Sequence, residues 1–527
     1  MIWTVGRRAA PLLALAAGAL AAIAHPPFGV LPGLLGYALL LHLVDQAPEA
    51  RPLRAAFWRG WLAAFAYFAI GCWWVAEAFL VDAQGQGWMA PFAVTLLPAG
   101  LGLFWGAACA LYRRFRPQGP ARVLAFAGSL AAAEWLRGHL FTGFPWNLPG
   151  ETWAAGSPVS QSAALVGAYA LTWITLAVAG AFAIPFGGAG RRASLITMGT
   201  AVAALAALYG FGWARLAGAP PAAPGAPLVR IVQANVDQEK KYDEALFRSI
   251  LARYVSLTAQ PAPRTPDIVV WPEGALPESA NAIFGPGAWT AGDIAGALRP
   301  GQTLMMGAYR IDAGPSYFNS LIAFRREADG LRLTALYDKY RLVPFGEFLP
   351  LEWILEPIGF KRVSQLGEGF DPGPAPAPVA PLGVPPVQPL ICYEALFPAL
   401  VRDAVNRSEV RPRWLANVSN DAWFGVTSGP WQHLNMASYR AIETGLPMVR
   451  ATPTGVSAMV DAFGRSPPGQ RLGLDRMGVV DALLPPALEP TPYRRFGEFP
   501  FLAFLAISIG FTLAPVVRRR CESTPVR

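Results

Sequence analysis

Eight long hydrophobic runs constrain this chain more than any other feature. Crossing a bilayer takes about 20 apolar residues. Seven candidate runs crowd residues 1–217, at about 9–24, 28–46, 56–80, 88–112, 121–137, 161–187 and 193–213, and an eighth lies at about 500–517. A 527-residue chain with 54% hydrophobic and only 15% charged residues is too apolar for one large soluble enzyme. It is also the opposite of a disordered chain, which needs low hydrophobicity and high net charge. The expectation is a polytopic α-helical membrane domain of about eight spans. Ala22-Ile23-Ala24, behind Arg7-Arg8, has the look of a signal-peptidase site, but Pro26 and Pro27 just beyond it disfavour cleavage, so the first run reads as a retained anchor.

Basic residues orient the runs. One alternate set of connections holds Arg7, Arg8, Arg51, Arg54, Arg59, Arg113, Arg114, Arg116, Arg122, Arg191 and Arg192, then Arg518, Arg519, Arg520 and Arg527. The opposite short connections, around 25–28, 81–87 and 138–160, contain no Lys or Arg. The positive-inside rule places the basic set in the cytoplasm, with both termini, and the long segment 218–499 outside. The net charge of +9 is thereby an orientation signal and not a nucleic-acid footprint. The organisation expected is a seven-helix membrane domain over 1–217, a Gly/Pro/Ala linker at 218–226, a globular domain over 227–484, a second linker at 485–499, and a last span with a cytoplasmic tail at 500–527. Within the globular part, Leu228–Gln233, Asp267–Trp271, Thr303–Ala308, Ser320–Phe324, Val387–Cys392 and Trp414–Ser419 read as strands, and 243–259 and 430–445 as helices. This alternation indicates an α/β or layered α+β domain. The proline-rich section 371–389 reads as a surface loop.

Four scattered cysteines form no CxxC pair, and four histidines show no ligand spacing, so neither a disulfide framework nor a metal site is expected. Cys72 and Cys109 fall in spans and Cys521 in the tail, which leaves Cys392, at the end of a strand and followed by Tyr393-Glu394. Alone, it could equally be a small buried hydrophobe. Two further segments raise the chemical reading. Asp267–Trp271 runs into Pro272-Glu273-Gly274, presenting a carboxylate at a strand end. Tyr337–Phe348 sets Lys339 and Glu347 around a Pro344-Phe345-Gly346 turn. A thiol needs a base and a nearby cation to attack as thiolate, and a tetrahedral oxyanion needs a positive donor.

WPEG at 271–274, DKYRLVPFGEF at 338–348 and CYE at 392–394 resemble the Glu-Lys-Cys sites of the nitrilase superfamily, whose members share an αββα sandwich. Further stretches are similar to the bacterial apolipoprotein N-acyltransferases: His25–Gly29, Glu134–Arg137 with Thr142–Trp146, Gln233–Val236 and Asn417–Gly425. The resemblance covers essentially the whole chain. One departure is Pro453, where the family pattern has Asn. The resemblance implies a membrane domain joined to a nitrilase-like catalytic domain on the outer side of a bacterial inner membrane. A membrane phospholipid would give an acyl chain to Cys392, and the thioester would pass it to the α-amine of a diacylglyceryl-cysteine at an apolipoprotein N-terminus, with no cofactor. By the same resemblance Glu273 is the general base and Lys339 stabilises the oxyanion beside a backbone N–H near Tyr393. Glu347 positions Lys339 or the amine. Tyr393, Glu394, Trp423, Arg440 and Glu443 are candidates for shaping the pocket, a role that sequence does not separate from folding.

Substrate-binding candidates are Phe345, Trp353, Trp423 and Phe424, with Leu351–Arg362 and the Trp423-Phe424-Gly425 loop expected as lids that touch the bilayer. Glu134 and Arg137, three apart near a span end, are expected either to brace the helices or to bind a lipid headgroup. Two rivals remain: a membrane-anchored amidase using the same trio with water, and a transporter or receptor whose outer domain only binds ligand.

Overall fold

The structure, a computed structural model, describes residues 4–312, 314, 316–350, 353 and 369–522, with side chains through residue 513 of the last helix. It divides into two compact units, one of residues 1–76, 91–218 and 492–527, the other of residues 77–90 and 219–491.

The first unit is helical: Ala10–Ile23, Leu35–Asp45 behind the 3-10 turn Leu31–Leu34, Pro52–Gly71, Ala90–Phe115, Ala121–His139, Ala163–Ala181, Arg191–Ala217 and Phe499–Glu522. Among the described residues, Gly87–Phe115, Val159–Ala181 and Arg191–Ala217 are long and apolar enough to cross a membrane. Ala10–Ile23, Leu31–Asp45 and Phe499–Leu513 are apolar but shorter. The run expected at 56–80 is not continuous, because its helix ends at Gly71 and a separate short helix starts at Val75. Pro52–Gly71 carries Arg54 and Arg59, and Ala121–His139 carries Arg122, Glu134 and Arg137, which dilutes both.

Small residues let these helices touch backbone to backbone. A Cβ on Gly18 would lie 1.8 Å from the Ala63 carbonyl oxygen, and one on Gly36 2.2 Å from that of Ala17. Such packing substitutes for the hydrophobic drive that lipid removes. Arg191–Ala217 leaves Leu195, Ile196, Val202, Tyr209 and Trp213 exposed, an apolar outside suited to acyl chains. Charge gathers around Asp45, which meets Arg122 at 3.2 Å and Arg116 at 3.4 Å and accepts the Tyr112 hydroxyl at 2.7 Å.

The second unit is a four-layer αββα sandwich. Its strands are β1 Leu228–Gln233, β2 Ile268–Trp271, β3 Thr303–Ile311, β4 Tyr317–Glu327, β5 Gly330–Asp338, β6 Val387–Ile391, β7 Trp414–Val418, β8 Met448–Ala451, β9 Ser457–Val460, β10 Arg471–Leu472 and β11 Gly478–Leu483. They form a six-stranded sheet, β11-β1-β2-β3-β4-β5, and a five-stranded sheet, β10-β9-β8-β7-β6. Alternation along each strand builds the layers. Val229, Ile231, Ile268 and Val270 meet Val387, Ile391, Trp414 and Val418 between the sheets. Val232, Val269, Trp271 and Leu304 pack outward on helices Phe247–Thr258 and Trp289–Ala297, and Leu390, Leu415 and Met448 pack outward on Pro398–Asn406 and Gly429–Thr444.

Every strand expected from the sequence is present. Thr303–Ala308 and Ser320–Phe324 extend further than expected, and the Val387 strand stops at Ile391, so that Cys392 opens a 3-10 turn. Pro389 is tolerated because β6 is an edge strand. In β1, β2 and β3 the chain runs parallel, and two antiparallel reversals bring β5 back to the same direction. In the other sheet β6, β7 and β8 are parallel.

Candidate active site

Glu273, Lys339 and Cys392 each follow the C-terminal end of a strand, β2, β5 and β6 respectively, and the sandwich brings them together. Pro272 ends the β2 ladder, and β3 passes close beside the turn, with a Cβ on Gly307 falling 2.4 Å from the Cα of Glu273. Lys339 Nζ donates to Glu273 Oε1 at 3.2 Å and to Glu347 Oε1 at 2.9 Å. Asn319, near the start of β4, donates from Nδ2 to the same two oxygens at 2.7 and 2.8 Å. The remaining oxygen of Glu273 accepts the Asn420 backbone N–H at 2.7 Å, and that of Glu347 the Val343 N–H at 2.8 Å. Both carboxylates are therefore fixed at both oxygens.

Cys392 adopts φ +49°, a left-handed conformation that costs a non-glycine residue about 1–2 kcal/mol. This turn lifts its side chain out of the β6 alternation. Glu394 secures it by accepting the Ile391 N–H at 2.8 Å on one oxygen, and the Tyr340 N–H and Tyr337 hydroxyl, each at 2.9 Å, on the other. Tyr393 is buried with its ring edge on Phe397.

The charges define what each group can do. Burial, with Glu273 and Asp421 nearby, pushes the Cys392 thiol well above its ordinary range, only partly offset by Lys339 and a Ser419 hydrogen bond. At rest the Cys392 thiol is neutral, so any attack by its sulfur would require a base to take the proton. Burial opposes the Lys339 charge, but Glu273 and Glu347 outweigh it and hold the ammonium well above the usual lysine range. Lys339 is thus a permanent cation and not a base. Behind the thiol, Asp421 accepts from Ser419 Oγ at 2.7 Å, faces His433 Nδ1 at 2.9 Å and pairs with Arg450 at 2.6 Å.

The other expected residues distribute differently. Phe345 occupies a left-handed turn at φ +63° and is exposed, Trp353 is exposed, and Trp423 and Phe424 are half-buried on the 3-10 turn Asp421–Phe424. The rest of the expected lid, Leu351–Glu352 and Ile354–Arg362, lies outside the described residues. Glu134 and Arg137 belong to the helical unit and form a fully buried ion pair. Trp105 Nε1 donates to Glu134 at 2.7 Å, Arg137 also reaches the Phe144 carbonyl, and its guanidinium lies over the Phe68 ring at 4.9 Å. Arg440 and Glu443 pair at 2.8 Å in the core. Pro453 contributes its backbone carbonyl, which accepts the Asn235 N–H at 2.9 Å. Sequence reasoning passed over Asn319, Asn420 and the Asp421 network. The available signal for Asn319 was a polar Asn-Ser pair heading an otherwise apolar strand.

Residues 228–485 match the carbon-nitrogen hydrolase family model, and residues 17–181 match that of the apolipoprotein N-acyltransferase N-terminal domain. An apolipoprotein N-acyltransferase of Caulobacter vibrioides is 58% identical over 503 residues, covering 94% of this chain and 93% of its own. Those of Rhodopseudomonas palustris and Brucella melitensis are 37% and 38% identical, each covering 95% of this chain and 94% and 95% of their own. Among solved structures, an amidase of Nesterenkonia AN1 from the nitrilase superfamily aligns over 54% of this chain and 98% of its own, at 18% identity and a TM-score of 0.37, too low to add to the assignment. A carbon-nitrogen hydrolase domain in one chain with an apolipoprotein N-acyltransferase N-terminal domain, matched along nearly its whole length by acyltransferases, marks an acyltransferase. The chain belongs to the apolipoprotein N-acyltransferase family, and the small-amide hydrolase reading falls, because relatives spanning nearly the whole chain are acyltransferases.

Proposed function

We propose that this enzyme moves an acyl chain from a membrane phospholipid to Cys392 and from there to the N-terminal α-amine of a diacylglyceryl-cysteine on an apolipoprotein. The observation that carries this reading is the meeting of Glu273, Lys339 and Glu347 beside a buried Cys392. Glu273 takes the thiol proton as Sγ attacks the ester carbonyl, and the Lys339 ammonium faces the oxygen that becomes negative, together with a backbone N–H near Tyr393. On collapse the C–O bond breaks, Glu273 returns the proton to the departing lysophospholipid oxygen, and a thioester remains on Cys392. The amine then attacks the thioester carbonyl, Glu273 accepts a proton from the amine nitrogen, and the thiolate leaves and is reprotonated. The kinetics are ping-pong, and Glu347 holds Lys339 in place.

Eight helices, including the shorter apolar ones, would anchor 1–217 and 500–527 in the bacterial inner membrane, with the catalytic domain at 227–484, between linkers at 218–226 and 485–499, on its outer side. A membrane anchor suits lipid substrates, because drawing an acyl chain into water costs about 0.8 kcal/mol per CH₂. The exposed rings of Phe345 and Trp353, with Trp423 and Phe424, are suited to lipid contact. Glu134 and Arg137, saturated by Trp105 and Phe144, are suited to bracing.

The test is to incubate purified protein with an acyl-labelled phospholipid, seek a hydroxylamine-sensitive adduct on Cys392, and then add a diacylated lipopeptide. The label should move to the peptide amine. Peptide acylation by Cys392→Ala would overturn the mechanism.

A further inference from the structure

Lys241 lies in the loop between β1 and helix Phe247–Thr258, in a charged stretch, Glu239-Lys240-Lys241, that reads in sequence as a solvated surface. It is instead only 4% exposed. Among the described residues its ammonium has no hydrogen-bond acceptor and no salt-bridge partner. What it meets is the Tyr242 ring, 5.7 Å to the centroid, and the turn that carries Glu273: a Cβ on Gly274 would fall 2.8 Å from Lys241 Nζ. Gly274, at φ +53°, thus leaves the space that the ammonium fills. The loop is tied to the site a second time, since Gln238 Oε1 accepts from Asn420 Nδ2 at 2.9 Å and the Asn420 N–H holds Glu273.

The charge count at the site is otherwise unbalanced. Glu273 and Glu347 share one ammonium, Lys339, and the amide of Asn319 is neutral. Two like charges converging on one cation repel each other, and a second cation beside Glu273 would offset that repulsion. We propose that Lys241 is a positioning residue that supplies the second positive charge, so that Glu273 meets the Cys392 thiol as a carboxylate. This rests on the reading of Glu273 as general base. Burial pushes the Lys241 ammonium down to about 8, with Glu273 pulling it back up, so it still carries its charge at neutral pH. The ionisable groups around Glu273 are Lys339 after β5, Glu347 in the following loop, and Cys392 after β6, with Asp421 behind the thiol. Tyr242 lies on the Lys241 loop itself, and Tyr309 of β3 faces Tyr242 and Glu278.

The experiment follows alkylation of Cys392 by iodoacetamide in the full-length protein as a function of pH, read by the mass of the Cys392 peptide, which requires neither lipid nor lipoprotein. Lys241→Met should move the acid limb of the profile up by about one pH unit, with the rate recovered at high pH. Lys241→Arg should keep the wild-type limb. Should the methionine variant fail to fold, Lys241→Gln carries the same expectation. An unmoved limb, or a rate lowered equally at every pH, overturns the proposal. If Glu273→Gln keeps the wild-type limb, it is the base assignment that fails, separately from Lys241.

Discussion

Asn319 illustrates how much of this site depends on a single neutral side chain. Its two Nδ2 protons are divided between Glu273 and Glu347, at 2.7 and 2.8 Å. Hydrogen bonds to charged groups contribute about 1.5–3 kcal/mol each. Asn319→Ala should slow single-turnover acylation of Cys392 about tenfold to 100-fold. Asn319→Asp should be worse than alanine, because it places a third carboxylate where two already compete for Lys339. An aspartate variant as active as wild type would remove Asn319 from the argument. The Glu-Lys-Cys set was legible in sequence because each member sits in a conspicuous local pattern: an apolar strand meeting Pro272, a Pro-Phe-Gly turn, a strand ending in Cys-Tyr-Glu. Asn319 and Lys241 were not, because an Asn at a strand start and a Lys in a charged run have ordinary exposed roles. Only the folding together of β2, β4, β5 and the 238–241 loop brings Asn319 onto the two carboxylates and Lys241 against the Glu273 turn.

At the scale of elements, six of the eleven described strands were readable from apolar runs, while β5 and β8 to β11, along with strand ends and pairing, were not. β5, with Leu331, Leu333 and Leu336 spaced among polar residues, was missed; two of those leucines are exposed in the structure. The turn after β6 that holds Cys392 depends on Glu394. Burial raises that carboxyl to about 6 from an ordinary 4.5, against the opposing pull of the Ile391 and Tyr340 N–H groups, Lys339 and Tyr337. A carboxyl raised on folding contributes stability that is full below its unfolded value and is lost as pH rises through its folded value. The window is about pH 4.5 to 6, and the size is roughly 2 kcal/mol. Unfolding midpoints in detergent should therefore carry a downward component across that window. Glu394→Gln should lose this component while lowering stability at every pH, since an amide cannot accept at both oxygen positions. An identical slope in the variant would mean that another group carries it.

Over the whole molecule, the distribution of charge does what no single residue can. The connections that carry Arg7, Arg51, Arg113, Arg191, Arg518 and their neighbours hold a charge of +12, and the rest of the chain is slightly acidic at −3, which together make the net +9. Where the structure describes these connections, the basic residues are partly neutralised by Asp45 and Glu49, Arg113 pairing with Glu49 at 2.7 Å. Compensation of this kind keeps the helix ends compatible with one another without erasing the basic bias that the positive-inside rule reads as cytoplasmic. Positions 84 and 118 lie in opposite sets of connections, and both are exposed. In a background lacking Cys392 and Cys521, Gln84→Cys should react with a membrane-impermeant maleimide on intact spheroplasts, and Gln118→Cys only after permeabilisation. Cys72 and Cys109, buried in the helical unit, should stay silent in both. Labelling of position 118 from outside would invert the orientation and overturn the proposed topology.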